Sequence, residues 1–555
     1  MAERPTPEAI ASIDLASIAD VGARQAIRAL LNLVEEQASE IRVLRVENQQ
    51  LRDELTRLKG GQGRPKIPPG KSAGGSMDYS SEQERRPAPK SWQKRGKQDR
   101  LRIDRTERVV VDPATLPADA ELKGYERVVV QDLVLRTDTV AFELAVWYSP
   151  SERRSYRARR PAGYDGAFGP HLRTLVLTLA YGGGMSERKI LELVAGTGIV
   201  ISAGTVSNLL TEGRVAFETE AREVLEAGLE SSPYQHIDDT STRVNGEAQY
   251  CQILCNALYT AYQTTPGKDR RTVIEVLRGG RPRAYRFDAE ADRHLAWLKL
   301  SAGARAKLAA AIPRDQELDE ATLTALVAAP ALRLGPRQQE QVREALALAA
   351  YLADPDWPVV RTLVCDDAPQ FRAITEELAL CWIHEGRHFK KLTPYLPQHQ
   401  AALADILTQF WAYYRELLAY RELPTMQDRL RLDARFDTLF GTKTGYQALD
   451  ERLALTRDKK PELLLVLEHP ELPLHNNPAE LGARQRVRKR DVSFGPRSPA
   501  GSAAWDTFMT LAATTRKLGL DFSAYLRDRF TTAGQIPPLA DLISARASQL
   551  ALAPR

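Results

Sequence analysis

The sequence predicts a multidomain protein of mixed class, α+β and α/β, in which helical domains surround one mixed α/β domain. Three observations predict it. Apolar residues follow a heptad pattern from residue 30 to 58, two apolar strands end in paired aspartates, and Ala/Leu-rich helical stretches separate and follow those strands. The chain has 555 residues, which is long enough for three or four domains.

Residues 1–58 are predicted to form an N-terminal helix and a dimeric coiled coil. The heptad positions d are Leu44, Leu51 and Leu58, and the positions a are Ile41, Asn48 and Leu55. Leucine at d with one asparagine at a favours a parallel two-stranded coiled coil in which the asparagine fixes the register. We therefore expect a homodimer or a higher oligomer. The alternative is a single amphipathic helix packed on the body of the protein.

Residues 59–105 form a basic linker rich in Gly, Pro and Ser, without helical or strand periodicity. The linker has 13 basic and 5 acidic residues, whereas the whole chain carries a formal charge of only +5. Such a segment suits a polyanion, because each neutralised phosphate releases counterions. The predicted DNA contacts in it are Lys90, Trp92, Lys94, Arg95 and Lys97. A solvated linker that happens to be basic is the alternative.

Two small domains are expected between the basic linker and the paired aspartates. β-branched runs predict an antiparallel β-rich unit in residues 106–165. In residues 166–232 two helices are predicted, with Ser186 and Ser202 as N-caps and a glycine-containing break between them. The pair is similar to a helix-turn-helix, whose second helix, at about 203–210, would enter a DNA groove. Helix pairs of this kind are also common in plain bundles.

Two predicted strands end in acidic pairs, and a third acid begins a helix. The pairs are Asp238–Asp239 and Asp366–Asp367, and the third acid is Glu480. A carboxylate at the end of a buried strand is costly unless a metal, a base or solvent compensates its charge. Each acid taken alone is more often a cap or turn residue than a functional one, so the prediction depends on the set.

Residues 233–500 are expected to form one domain around these acids. Three strands and a helix, at about 268–277, come before the second acidic pair, and an all-helical insertion at about 285–357 separates them from it. Strand end, strand end and helix start is the order of acids that an RNase H-like site requires. A helical C-terminal tail is predicted for residues 501–555, with a break at Gly519.

Three carboxylates in this order suit the chemistry of phosphodiester cleavage. Two divalent ions about 4 Å apart stabilise the attacking and the leaving oxygen together. Mg²⁺ keeps several waters and takes few protein carboxylates, so three acids and the phosphate suffice. The sequence therefore predicts that Asp238, Asp366 and Glu480 are the catalytic residues and the ligands of two Mg²⁺ or Mn²⁺ ions.

The helix that begins near Glu480 leads into a dense basic stretch. The five cations are Arg484, Arg486, Arg488, Lys489 and Arg490. Such a stretch is expected if DNA lies beside the carboxylate, because arginine and lysine neutralise phosphates. All five residues are therefore predicted to contact DNA.

These motifs resemble the insertion sequence 66 family of bacterial transposases. The likeness covers the coiled coil, the basic linker and the segments ISAGTVSNLL, HIDDT, CDDAPQF, CWIHEGRHFKKL and HNNPAE with its continuation through SFGPRSPAGSAAW. By that resemblance the catalytic acids are Asp238, Asp366 and Glu480. The family shows Asp-Glu-Thr where this chain has Asp-Asp-Thr, and Glu480 ends the family's Asn-Asn-x-x-Glu pattern at Asn476 and Asn477.

The resemblance implies a DDE-type transposase that binds the terminal inverted repeats of its element, cleaves there and joins the 3′ ends to target DNA. Element-encoded accessory proteins are candidate partners. The candidate supporting residues of the site are Asp239, Asp367, His384, Arg387, Asn476 and Asn477. Two alternatives stay open: a zipper-dimerised DNA-binding regulator with an inactive catalytic domain, and an RNase H-like nuclease without strand transfer.

Cys381 and His384 match a Cys-x-x-His element that follows the second acid in related transposases. A zinc site of Cys381, His384 and His388 is conceivable by ligand type, although no fourth ligand is evident. We expect His384 and Arg387 to orient the site or contact phosphate, and Cys381 to be a packed thiol. The family's cysteine-rich module is not expected here, because no cysteine precedes Cys251.

Two further features of the sequence complete the prediction. Asp366 follows Asp238 by 128 positions, which is long for the family and is why the helical stretch between them is expected to be an insertion. No stretch approaches 18 uninterrupted apolar residues, no signal peptide begins the chain and no GxxxxGK[ST] loop is present. We therefore expect a cytoplasmic protein without a membrane partner or a nucleotide cofactor. The four cysteines lie in apolar runs and are expected to be buried thiols.

Overall fold

The structure is a computed structural model that describes residues 15, 17–58, 102–117 and 119–550. The predicted DNA contacts of the basic linker, Lys90, Trp92, Lys94, Arg95 and Lys97, lie outside the described residues. The strands are β1 (Val146–Ser149), β2 (Arg154–Arg157), β3 (Tyr234–Val244), β4 (Glu247–Cys255), β5 (Thr260–Thr265), β6 (Tyr285–Arg286), β7 (Glu317–Leu318), β8 (Thr362–Cys365) and β9 (Glu377–Leu380).

The helices are α1 (Val21–Leu58), α2 (Pro170–Leu177), α3 (Glu187–Gly196), α4 (Ala203–Thr211), α5 (Val215–Glu230), α6 (Arg270–Leu277), α7 (Ala289–Trp297), α8 (Ala302–Ala311), α9 (Glu320–Val327), α10 (Pro336–Leu352), α11 (Trp382–Lys390), α12 (Pro397–Glu422), α13 (Met426–Phe440), α14 (Gln447–Arg457), α15 (Lys460–Leu463), α16 (Asn477–Ser493), α17 (Pro499–Lys517), α18 (Phe522–Thr531) and α19 (Leu539–Gln549). A π-helical turn, Thr178–Gly182, continues α2.

A five-stranded mixed sheet in the order β5-β4-β3-β8-β9 lies at the centre of the described chain. β3, β4 and β5 are antiparallel neighbours, whereas β8 and β9 run parallel to β3. All four residues of β8 are buried, as expected for an apolar strand covered on both faces. Helix α16 packs on β3 and β4, and α17 packs on β5. The mixed α/β class that the sequence predicts is confirmed.

The predicted β-rich unit of residues 106–165 is wrong in its extent. Only the hairpin of β1 and β2 forms there, and the β-branched runs at 108–111 and 127–135 have no strand. Val109 and Val130 in these runs are more than four-fifths exposed. A β-branched run adopts a strand only when a neighbouring strand pairs with it, and these runs have no such neighbour among the described residues.

The predicted helix pair corresponds to α3 and α4. Ser202 caps α4, because its hydroxyl accepts a hydrogen bond from the Thr205 backbone N–H at 3.2 Å. Ser186 lies at the N-cap position of α3 but makes no capping bond with its side chain. The break between the helices contains Gly198, whose positive φ of 91° suits glycine.

The C-terminal helices are not a separate tail. Helix α17 spans the predicted boundary between residues 500 and 501 and packs on the edge strand β5. Helix α19 packs on α5. The carboxylate of Glu220 on α5 accepts hydrogen bonds from Arg529 at 2.8 Å and from Tyr525 at 2.7 Å. The predicted break at Gly519 is confirmed, since α17 ends at Lys517 and Gly519 has a φ of 67°.

The helices α7 to α10 stand between β5–α6 and β8, as the sequence predicts for 285–357. They have a hydrophobic core of their own, which includes Leu295, Leu323 and Leu346. Helices α11 to α15 follow β9 and pack around the fully buried Trp382. The second acid therefore lies between two helical segments.

Helix α1 is anchored at one end and free at the other within the described chain. The buried carboxylate of Glu35 accepts hydrogen bonds from the backbone N–H groups of Tyr395 at 2.7 Å and Leu396 at 2.6 Å. Beyond residue 40 the heptad leucines of α1 are exposed, including Leu51 at 63%. The first half of α1 thus packs on the body, and the second half presents the predicted coiled-coil seam.

The structure can be compared directly with two general expectations, on the cysteines and on membrane-spanning helices. The four cysteines, Cys251, Cys255, Cys365 and Cys381, are all buried and unpaired, as predicted. Among the described helices, none combines the length and apolar content that crossing a membrane requires.

Candidate active site

The register of two parallel strands brings the first two acids together. His236 of β3 pairs with Val364 of β8, and Asp238 and Asp366 each lie two residues further along. Neighbouring strands are about 4.8 Å apart. The two acids are therefore neighbours beside the carboxyl end of β8, the edge at which α/β sheets hold their ligands. The predicted strand end at Asp238 is wrong, because β3 continues to Val244 in its pairing with β4.

Two contacts place the third acid against the same strand. Glu480 lies in the first turn of α16, and the residue before that helix, Asn476, is fully buried. The Asn476 side chain donates to the Ile237 carbonyl at 2.7 Å, one residue before Asp238. At Gly482 a Cβ would lie 2.7 Å from the Cγ2 atom of Ile253 on β4, so glycine lets α16 approach the sheet closely.

The pKa of Asp238 is sensitive to the charges of the other two carboxylates. The pKa of Asp238 is raised from 3.8 to about 7 by burial and by the charges of Asp366 and Glu480. Burial also raises the pKa of Asp366, although the Ala368 N–H and the charge of His384 oppose the shift. Converging acids of this kind favour the neutral form unless a cation compensates them.

Glu480 is held by two residues of α11. The Arg387 guanidinium lies 3.3 Å from one of its carboxylate oxygens, and the Nδ1 atom of His384 lies 3.4 Å from the other. Arg387 also lies 3.0 Å from the Nε2 atom of His384. Burial lowers the pKa of His384, so its ring is neutral near pH 7. The structure therefore brings two of the six predicted supporting residues, His384 and Arg387, to the third acid.

The donor set fits a divalent cation. Glu480 Oε1 and His384 Nδ1 are buried atoms without a hydrogen-bond partner, which is costly unless a ligand binds them. Carboxylate oxygens are the donors that Mg²⁺ and Mn²⁺ prefer. Three acids around two ions need not lie in mutual contact, because the ions themselves are about 4 Å apart.

The zinc site considered for Cys381, His384 and His388 does not form as a set. Within the described chain, the ligand atoms of Cys381, His384 and Glu480 lie within 4.8 Å of one another, and that group does not include His388. Burial raises the pKa of the Cys381 thiol to about 12, and its sulfur accepts the backbone N–H of Asn476 at 3.2 Å. In the metal-free chain Cys381 is therefore a packed thiol.

The second member of each acidic pair is occupied by partners within the chain. Asp239 accepts a hydrogen bond from Gln370 at 2.6 Å and lies 3.4 Å from Lys268. Asp367 pairs with Lys459 at 2.5 Å and with Arg372. These partners lower the pKa of Asp367 in spite of its burial. Both residues brace the loops beside the site.

The Asn477 side chain has a buried Nδ2 atom without a hydrogen-bond partner among the described residues.

The five cations after Glu480 do not form one surface, and two of the predicted DNA contacts are wrong. Arg486 is only 1% exposed and pairs with Asp506 at 3.0 Å. Lys489 is buried and donates to the carbonyls of Ala180 at 2.7 Å and Met185 at 3.1 Å. Helical periodicity explains the error, because a helix that packs on a sheet buries one side of any continuous run.

The remaining three cations stay accessible. Arg484 and Arg488 are exposed and follow Glu480 by four and eight residues, so they lie on its side of α16. Arg490 is partly exposed and donates to the Ser241 carbonyl.

Several residues around the second acid had no clear sequence signal. Arg270 donates to the carbonyls of Pro369 and Arg372, both at 2.8 Å, and so fixes the loop after Asp366. It also pairs with Glu344 of the helical insertion at 2.6 Å. Of these residues, Pro369 lies within the motif CDDAPQF, whereas Arg270, Glu344 and Arg372 lie outside the motifs that the sequence analysis recognised.

The sheet and the acids that converge beside it define an α/β domain with a candidate metal-dependent site. A model of the transposase IS66 family matches residues 165–309 and 317–504, which is more than half of the chain. The chain also shares 33% identity over 325 residues with the uncharacterized protein y4jO of Sinorhizobium fredii (strain NBRC 101917 / NGR234), covering 58% of this chain and 100% of that protein.

The chain belongs to the transposase IS66 family. Membership places it among the transposases, a class of DNA-processing proteins. The match continues through most of the helical segment, with a break only between residues 309 and 317. The family pattern thus extends over most of these helices, and the expectation that the segment is long for the family stays a prediction.

Proposed function

We propose that the chain is a DDE-type DNA transposase that binds the terminal inverted repeats of an insertion sequence, cleaves at the element ends and transfers the 3′ ends to target DNA. The observation that carries the proposal is the convergence of Asp238, Asp366 and Glu480 from two strands and one helix. Family membership supports DNA as the substrate.

The domain around the sheet is proposed to be RNase H-like. If the five strands are numbered by their order in the sequence, their order across the sheet is 3-2-1-4-5. The second strand is antiparallel to both of its neighbours. The first acid lies on the first strand and the second acid follows the fourth. This order supports the assignment.

Two divalent ions, Mg²⁺ or Mn²⁺, are proposed to bind between Asp238, Asp366 and Glu480. When bound, such ions stabilise the attacking and leaving oxygens of a phosphodiester displacement. The raised pKa values of Asp238 and Asp366 support this assignment, because a cation relieves the repulsion that raises them.

The chain's own side chains have separate roles in the proposal. His384 and Arg387 hold the Glu480 carboxylate, and the half-exposed Arg387 guanidinium also offers donors to a phosphate oxygen. Asn476 fixes the start of α16 against β3. Asn477 supplies an amide donor that has no other partner among the described residues.

DNA is proposed to follow the exposed side of α16 away from the site. Arg484 and Arg488 lie on that side and neutralise its phosphates. The helix pair α3–α4 and the basic linker are the proposed contacts with the terminal repeats.

The second half of α1 is proposed to pair with a second copy in a parallel coiled coil. Besides the exposed seam, the charges flanking it fit this arrangement. Glu40 and Glu47 occupy position g, whereas Arg45 and Arg52 occupy position e, and all four are exposed. In a parallel dimer each g residue faces the e residue five positions later on the other chain, so every such contact joins opposite charges.

The test uses the purified full chain with Mg²⁺ or Mn²⁺ and DNA that carries the element ends. Joined product is expected from the wild type and should be lost in Asp366→Asn. The matched control is Asp367→Asn. It should still join ends, because the Asp367 carboxylate is already paired with Lys459 and Arg372. Nicking without joining would support the nuclease, and binding without nicking would support the regulator. Joining by Asp366→Asn would contradict the site assignment.

A further inference from the structure

Phe494 combines two properties that folding alone does not explain. Its φ of 59° and ψ of 18° put it in the left-handed region, where glycine and asparagine are favoured and bulky side chains are strained. Its side chain is 87% exposed, so the ring gains little from packing. Of the non-glycine residues with positive φ in the described chain, it is the aromatic one.

The turn that carries Phe494 is fixed against the sheet. The Phe494 N–H donates to the Arg490 carbonyl at 2.7 Å and ends α16. At Gly495 a Cβ would lie 2.7 Å from the Arg243 carbonyl oxygen, and the Asn245 N–H donates to the Pro496 carbonyl at 3.0 Å. The turn is therefore packed on the β3–β4 hairpin, while the Phe494 ring stays exposed.

The elements that meet at this turn carry exposed cations. Arg243, Arg488 and Arg497 are exposed on the strand, helix and loop that meet there. Asp491, the nearest acid in the sequence, lies 3.6 Å from Arg490. Val492 is half-exposed, and the other exposed residues next to Phe494 in the sequence are polar, so they do not offer the apolar core of a protein interface. Cations around an exposed aromatic ring are the combination that binds unpaired bases.

We propose that Phe494 stacks on an unpaired base of the DNA that follows α16. Glu480 and Phe494 lie 14 residues apart, which corresponds to roughly 21 Å along a helix. The ring would therefore meet the DNA about six base pairs from the phosphate at the acids, at 3.4 Å per base pair. The proposal rests on the proposed function, and it identifies distorted or single-stranded DNA as the preferred ligand.

Binding to DNA probes tests the proposal without cleavage. The full chain is titrated in EDTA, by fluorescence anisotropy, into two duplexes of about 30 base pairs that differ only in a short central bulge of unpaired bases. Phe494→Ala should weaken binding to the bulged duplex roughly 10-fold and binding to the paired duplex little, because stacking contributes mainly where a base is free. Phe494→Trp should retain the preference.

Direct stacking has its own readout. A 2-aminopurine base in the bulge should lose fluorescence on binding the wild type and Phe494→Trp, but less on binding Phe494→Ala. Leu423→Ala is the matched control, since Leu423 is 74% exposed at the end of another helix. Equal thermal melting of all variants confirms that they fold.

The outcomes separate the two proposals. If Phe494→Ala binds both duplexes as the wild type does while Asp366→Asn loses strand joining, the stacking proposal is wrong and the proposed function stands. An equal loss on both duplexes, or a change of oligomeric state with unchanged DNA preference, also overturns stacking. If the wild type binds neither duplex nor DNA that carries the element ends, both proposals fail.

Discussion

The Nδ1 atom of His236 lies 3.0 Å from the Oδ1 atom of Asn476. Because the Asn476 amide nitrogen donates to the Ile237 carbonyl, its oxygen accepts from a neutral His236 ring, whose pKa burial lowers to about 3. The strand of the first acid and the helix of the third are thus joined by one side chain, 240 positions apart in the sequence.

Asn476→Ala should lose both stability and activity. It leaves the buried His236 N–H and the Ile237 carbonyl without partners, which costs about 1–3 kcal/mol for each unsatisfied group. It also frees α16 from β3, so strand joining should fall more than the stability loss explains. Denaturant unfolding and joining assays measure the two effects. The neighbouring Asn477→Ala is the control for stability and should cost less than Asn476→Ala, because the Asn477 Nδ2 atom has no hydrogen-bond partner among the described residues.

The contribution of Asp238 to the stability of the metal-free chain should fall as pH rises from about 4 to about 7. The pKa of Asp238 is about 7 in the folded chain against 3.8 ordinarily, so the folded chain holds a proton that the unfolded chain releases. The stabilisation is complete below pH 4 and is lost through pH 7, with a magnitude on the order of 2–4 kcal/mol. Asp238→Asn should flatten this dependence in EDTA, as measured by denaturant unfolding. An identical pH profile in the variant would contradict the shared burial of the acids.

Asp366 and Asp367 are adjacent in sequence and should respond oppositely to substitution. Asp366→Asn removes one of the charges that repel one another, so it should not lower the stability of the metal-free chain. It should abolish the stabilisation by Mg²⁺ or Mn²⁺. Asp367→Asn breaks the contacts with Lys459 and Arg372 and should cost about 1–3 kcal/mol. It should still gain about 2.7 kcal/mol when the metal is at 100 times its dissociation constant. Thermal melting with and without metal measures both. Equal metal responses in the two variants would show that Asp366 is not a ligand.

Local patterns in the sequence predicted the sheet well and the small β unit badly. The strand before Asp366 is short, apolar and buried throughout, whereas the strand that carries Asp238 is mostly polar and is buried mainly in its first half. The runs near Val109 and Val130 have the same β-branched character, but strand formation depends on pairing that a local pattern does not specify.

The acids were predictable because acidic pairs and family motifs marked them, and Asp366 also because it follows a strand end, whereas their supports were not. Lys459, 92 positions after Asp367, reaches it from the N-cap of a helix, and Arg270 reaches the loop after Asp366 from the other side of the helical insertion. Such contacts depend on how distant helices pack. The same reason explains Arg486, which looked like a DNA contact by charge but is buried by the packing of α16 on the sheet.

Arg488→Ala and Arg486→Ala should separate DNA binding from folding. Arg488 is exposed, so its removal should leave melting unchanged and reduce the salt slope of DNA binding by about one. Arg486→Ala leaves Asp506 buried without its cation, which costs about 3–5 kcal/mol. Salt-dependent anisotropy and denaturant unfolding give the two readouts. A large loss of stability in Arg488→Ala would contradict the division of the basic helix into two sides.

Leu51→Asp should convert a dimer into a monomer. Leu51 is 63% exposed at heptad position d, and two carboxylates facing each other across a coiled-coil seam lose apolar burial and repel. Light scattering should show a fall from twice the mass of the chain to the mass of one chain, while the melting of the body stays unchanged because Glu35 still anchors α1. Val43→Asp is the matched control, since Val43 is 54% exposed on the same helix but lies off the seam. Monomers in both variants, or dimers in both, would show that this seam does not join the two copies.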